Sequence, residues 1–102
     1  MKHVPTYLGK SGRKFWREVL NEFVLEDQHD LQRLAHAASC LDRIDAARQE
    51  IEKIGAYYVD RFGQPKEHPG QKTERDNKAL FARLVREMGL GDFQPQETRI
   101  PR

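Results

Sequence analysis

A single cysteine, Cys40, in a chain of 102 residues leaves nothing for an intrachain disulfide to join, so the staple used by many small secreted domains is excluded. No apolar run approaches the roughly 18 residues that a bilayer crossing demands, and the mean hydropathy of −0.87 is strongly polar. A membrane span is therefore not expected. Met1 to Gly9 offers only Val4, Tyr7 and Leu8 as apolar residues, too few for the core of a secretory signal, so the chain reads as intracellular. No GxxxxGK(S/T) loop is present, which excludes an ATPase of that type. His36 and Cys40 stand four apart on a helical pattern, a spacing two zinc ligands can share, but no second pair completes a tetrahedral set. His29 and His68 have no nucleophile or carboxylate arranged beside them in a recognisable catalytic order. No enzyme activity, metal or cofactor is expected.

Net charge is also scarce, at +2, which rules out a histone-like coat of positive charge. The small total hides segregation. Residues 1–20 carry five basic side chains against one acidic, residues 21–60 four against nine, and residues 61–102 nine against six. Two basic ends flank an acidic middle, and local basic patches of this kind are able to neutralise phosphate.

What is abundant is helical periodicity. Phe15, Trp16, Val19, Leu20 and Phe23 recur along one side of a helix over Gly9 to Val24, with Lys10, Arg13, Lys14 and Arg17 along the other. Asp27 suits an N-cap, with Asp30 three residues on at the positive end of a second helix. From Asp27 to Ile54 there is no proline or glycine, and 28 residues at about 1.5 Å each give roughly 42 Å. A core this small cannot cover such a helix from one side, so part of the stripe formed by Leu31, Leu34, Leu41, Ile44 and Ile51 is expected to meet another subunit. Gly55 ends the helix. Tyr57-Tyr58-Val59 and the turn residues up to Pro65 predict a short hairpin or extended loop. Pro69 opens a third helix that runs to Met88, with Gly89 as its stop. The whole is expected to be all-α: a helical hairpin with a long central helix, a short extended excursion and a third helix, over residues 1–90, followed by a flexible tail over residues 91–102.

This order of elements resembles the small subunit of the DNA-packaging terminase of tailed bacteriophages. The resemblance rests on Leu8-Gly9-Lys10-Ser11-Gly12-Arg13-Lys14-Phe15-Trp16-Arg17, on Phe23-Val24-Leu25-Glu26-Asp27-Gln28-His29-Asp30-Leu31, and on Cys40-Leu41-Asp42-Arg43-Ile44. It continues through Asp60-Arg61-Phe62-Gly63-Gln64-Pro65-Lys66, His68-Pro69, Glu74-Arg75-Asp76 and Leu84-Val85-Arg86-Glu87-Met88-Gly89-Leu90, and ends on Arg99-Ile100-Pro101-Arg102. What it implies is a non-catalytic protein of the infected bacterial cytoplasm. Such a protein assembles into a homo-oligomeric ring, engages double-stranded viral DNA and presents it to the large terminase subunit, which holds the ATPase and nuclease.

On that reading Lys10, Arg13, Lys14 and Arg17 follow a phosphate backbone at i, i+3, i+4, i+7 spacing, giving affinity rather than sequence selection. Ser11 and Gly12 stand where helix-start amides can approach a phosphate. Lys72 and Arg75, with Arg83 and Arg86, fall within about 80° on a helical wheel and form a second candidate face, with pairing to the acidic middle helix of a neighbouring subunit as the competing use. Arg99, Ile100, Pro101 and Arg102 are the expected docking segment for the large subunit. The alternative reading is a helical protein-interaction scaffold or antitoxin-like regulator that never binds DNA.

Overall fold

The computed structural model describes residues 3–91. Three helices and one small hairpin follow in the order α1 (Lys10–Glu22), α2 (Gln28–Ile54), β1 (Tyr57–Val59), β2 (Pro65–Glu67) and α3 (Pro69–Glu87). The expected architecture is present, with boundaries shifted by a residue or two. Residues 92–102, and with them Arg99, Ile100, Pro101 and Arg102, lie outside the described residues.

The caps explain where α2 and α3 begin and stop. Asp27 accepts a hydrogen bond from the His29 amide at 2.7 Å and opens α2. Gly55, at φ +102°, closes it in a conformation that only glycine adopts readily. At α3, Pro69 occupies the first turn while His68 Nδ1 accepts from the Gly70 amide at 2.8 Å. Gly70 itself lies against the Ala47 carbonyl of α2.

Helix α2 is the centre of the molecule, and α1 and α3 both pack antiparallel to it. Along the α2–α3 seam run Arg48 to Glu74 (3.1 Å), Arg43 to Asn77 (3.4 Å) and Arg33 to Glu87 (3.7 Å). Ala35, Ala37, Ala38 and Ala47 of α2 are all buried, and small side chains let both flanking helices come close. Phe15 of α1 meets Phe81 of α3 edge-on, with ring centroids 5.1 Å apart, so all three helices share one core. Leu8, Leu25 and Leu90 close its ends.

This packing corrects one expectation. The long helix is covered from two sides by its own chain, so Leu34, Leu41 and Ile44 are buried in the monomer and are not available to a second subunit. Leu31 and Ile51 are half-buried. Beyond Arg48, where the seam with α3 begins, Gln49, Glu50, Glu52, Lys53 and Ile54 are exposed. Helix α2 does outrun the core, and the surplus lies in its last two turns.

After α2 the chain forms an antiparallel hairpin with Tyr57 opposite Glu67, Tyr58 opposite Lys66 and Val59 opposite Pro65. Its tip is organised by Asp60, whose Oδ1 accepts from the Phe62 and Gln64 amides at 2.8 and 2.9 Å, and by Gly63 at φ +78°. All six strand residues are exposed. No helix among the described residues is long and apolar enough to cross a membrane.

Candidate nucleic-acid interface

Helix α1 begins without a side-chain cap of its own and without an acid in its first turn. The missing carboxylate comes from α2. Asp42 accepts from the Gly9 amide at 2.7 Å and the Gly12 amide at 2.8 Å, and Asp45 accepts from the Ser11 hydroxyl. Gly12 is required for this approach: a Cβ there would stand 2.9 Å from the Ala38 carbonyl oxygen and inside the Asp42 carboxylate. The helix start thus already holds its anion. Two carboxylates at this end repel a phosphate rather than receive one, which corrects the expectation that the Ser11 and Gly12 amides approach DNA.

The four cations of α1 divide in the same way. Arg13 is half-buried and donates through Nε to the Leu8 carbonyl (2.7 Å) and through a terminal nitrogen to the Thr6 carbonyl (3.1 Å). It ties down the segment that leads into the helix. Lys10, Lys14 and Arg17 are exposed. Lys10 and Arg17 are without an ion partner among the described residues and stand two turns apart, roughly 10 Å along the axis. The exposed positive edge of α1 is thus Lys10, Lys14 and Arg17.

The second face is largely neutralised by its own acids. Lys72 pairs with Asp76 at 2.6 Å, Arg75 with Glu67 at 2.7 Å, and Arg83 approaches Glu87 at 3.9 Å. These pairs are exposed and individually weak, yet each cation sits beside an anion, so the local field that would draw a phosphate is nearly cancelled. Only Arg86 of that set lacks a partner among the described residues. Within the chain, across the seam, it is arginines of α2 that meet acids of α3. Glu74, held by both Lys78 (2.7 Å) and Arg48, has its pKa lowered chiefly by the Lys78 hydrogen bond, against an opposing effect of burial and with help from Arg48.

His36 is exposed and Cys40 is buried, so the two do not converge on one point. Burial pushes the Cys40 thiol up, with Arg43 acting weakly the other way, as befits an unreactive core thiol. No cluster of three metal-ligating side chains occurs among the described residues. The sequence reading passed over the capping of α1 by Asp42 and Asp45. Its only sequence signal was indirect: a helix start rich in glycine and serine, with no acid of its own. Also passed over was the exposed apolar surface of the hairpin, signalled by aromatic residues outside any helical period.

No protein-family model, curated protein or solved structure matches the chain.

Proposed function

We propose that this chain is a small subunit of a tailed-phage DNA-packaging terminase, a DNA-holding, ring-forming protein that hands viral DNA to the large subunit in the infected host cytoplasm. The observation that carries the reading is the ordered set of residue runs from Leu8 to Leu90 that resembles this family. The contacts they make give it support, because the runs meet one another in the fold. Gly9 and Gly12 of the first run close on Asp42 of the Cys40–Ile44 run.

In this mechanism Lys10, Lys14 and Arg17 of each subunit neutralise phosphates, and several weak contacts presented by one oligomer add through effective concentration. Arg99 to Arg102 dock the large subunit, where ATP hydrolysis and DNA cleavage take place. The test is solution mass by light scattering, with and without a DNA fragment from the packaging start region at low and moderate salt. A discrete multi-subunit mass with salt-sensitive DNA binding is the expected result. A monomer indifferent to DNA would remove the proposal. In that case the exposed apolar hairpin favours the second reading, a protein-interaction scaffold.

A further inference from the structure

Five large apolar side chains lie exposed within nine residues of each other: Ile54, Tyr57, Tyr58, Val59 and Phe62, at 41% to 74% of full exposure. Only Tyr7 and Val24 match them elsewhere among the described residues. A two-stranded hairpin exposed on both faces is marginal in water by itself, and exposed apolar surface gathered in one place marks an interaction site.

The backbone of this hairpin says which edge is open. The His68 amide donates to the Ala56 carbonyl (2.8 Å) and the Asp60 amide to the Gln64 carbonyl (2.9 Å). In an antiparallel ladder such pairs alternate, so Ala56, Tyr58 and Asp60 face β2 while the amide and carbonyl groups of Tyr57 and Val59 face outward. The other edge presents Pro65, which has no amide hydrogen, beside Lys66 and Glu67. Proline and charge are what blunt a strand edge. The β1 edge carries neither and consists of strongly β-forming residues.

We infer that β1 is a self-pairing edge: it adds antiparallel to β1 of a second copy about a two-fold axis at Tyr58, giving a four-stranded sheet in the order β2-β1-β1-β2. The register follows from the spacing. Centred on Tyr58, it sets Tyr58 beside Tyr58 of the second copy and Tyr57 beside Val59, and it brings Phe62 toward Ile54. Every exposed apolar residue of the arm then has an apolar counterpart. Charge agrees, because Arg61 falls opposite Gly55 of the second copy, at the negative end of α2 near Glu52. Ten such side chains in the pair, at roughly 100 Å² apiece, offer on the order of 1,000 Å², the scale at which specific interfaces begin. The contact is isologous, so an oligomer built on it holds an even number of chains. It does not rest on the packaging reading and is tested separately from DNA binding.

The register makes position 58 diagnostic. Tyr58 and its copy form a non-hydrogen-bonded pair with Cα atoms about 4.5 Å apart, within disulfide reach, whereas Val59 lies well beyond that reach from its own copy. The experiment oxidises Tyr58→Cys and Val59→Cys variants of the full chain, leaving the buried Cys40 in place, alongside the wild type and with circular dichroism as the check on folding. Covalent dimer forming at least tenfold faster in Tyr58→Cys than in Val59→Cys is the expected result, with an even subunit number for the wild type by native mass spectrometry. A paired variant, Val59→Lys with Phe62→Lys, is expected to halve the mass at unchanged helicity. Equal cross-linking at both positions, an odd subunit number, a monomeric wild type, or an unchanged mass in the lysine variant overturns the inference. If the lysine variant instead changes DNA affinity at constant mass, the arm is a nucleic-acid contact and the inference likewise falls.

Discussion

Two helix faces of this chain look alike in sequence, and the fold treats them differently. Each carries four cations at helical spacing: Lys10, Arg13, Lys14 and Arg17 on α1, and Lys72, Arg75, Arg83 and Arg86 on α3. The α3 set has Glu67, Asp76 and Glu87 within reach and pairs with all three. Along α1 the acids of α2 instead engage the helix start through Asp42 and Asp45, and Arg13 is drawn into hydrogen bonds to the Leu8 and Thr6 carbonyls. A count of cations on a helical wheel therefore measures potential only after the acids of neighbouring elements have been placed.

The largest effect expected comes from breaking the geometry that sets α1 against α2. Gly12→Val puts side-chain atoms into the Ala38 carbonyl and the Asp42 carboxylate, and overpacking at a close helix crossing costs about 3 kcal/mol. Urea unfolding will show a stability lower by that amount, with the midpoint reduced in proportion to the m-value; an unchanged midpoint would mean that the two helices do not meet as described. Asp42→Ala leaves the Gly12 crossing open but strips two amides of their acceptor, for a loss of about 1–2 kcal/mol.

Next come the two faces themselves. Charge reversal of Lys10, Lys14 and Arg17 is expected to weaken DNA binding by tenfold or more and to flatten the dependence of affinity on salt, since each cation removed lowers the slope by about 0.9. Reversal of Lys72 and Arg75 is expected to change affinity less than threefold. Fluorescence anisotropy across a salt series reads both. Equal losses at the two faces would erase the distinction drawn here, and a larger loss from α3 would invert it.

Much of the fold was legible because it is written in local periods and caps. The run from Asp27 to Gly55 without proline or glycine, and the Pro69 start with the Gly89 stop, specify two helices from neighbours in sequence alone. The hairpin was legible from its β-forming residues and turn. What was not legible was partnership at a distance. Nothing local to Asp42 says that it caps a helix 30 residues earlier. Leu34, Leu41 and Ile44 show the apolar spacing of an interface as well as of a core, and only the simultaneous packing of α1 and α3 decides between them. The candidate site suffered most, because its cations were readable individually, while which of them meets an acid, as Arg75 meets Glu67, or backbone carbonyls, as Arg13 does, depends on how the chain folds.

The smallest effect expected concerns a carboxylate of α3. Glu74 bridges Lys78 and Arg48, and its pKa is lowered in the fold, chiefly by the Lys78 hydrogen bond. A carboxylate with a depressed folded pKa contributes stability that is present above its unfolded pKa, about 4.3 for glutamate, and is lost as pH falls through the lower folded value. Glu74→Gln removes that contribution at every pH. At pH 7 the variant is therefore expected to be less stable by a few tenths of a kcal/mol, up to about 1 kcal/mol for a partly exposed pair. As the pH falls below about 4, the wild type descends toward the variant and their urea midpoints converge. Midpoints that differ equally at pH 7 and pH 3 would show that the glutamate acts through packing rather than charge. The charge balance that sets α3 apart from α1 would then rest on Glu67, Asp76 and Glu87 alone.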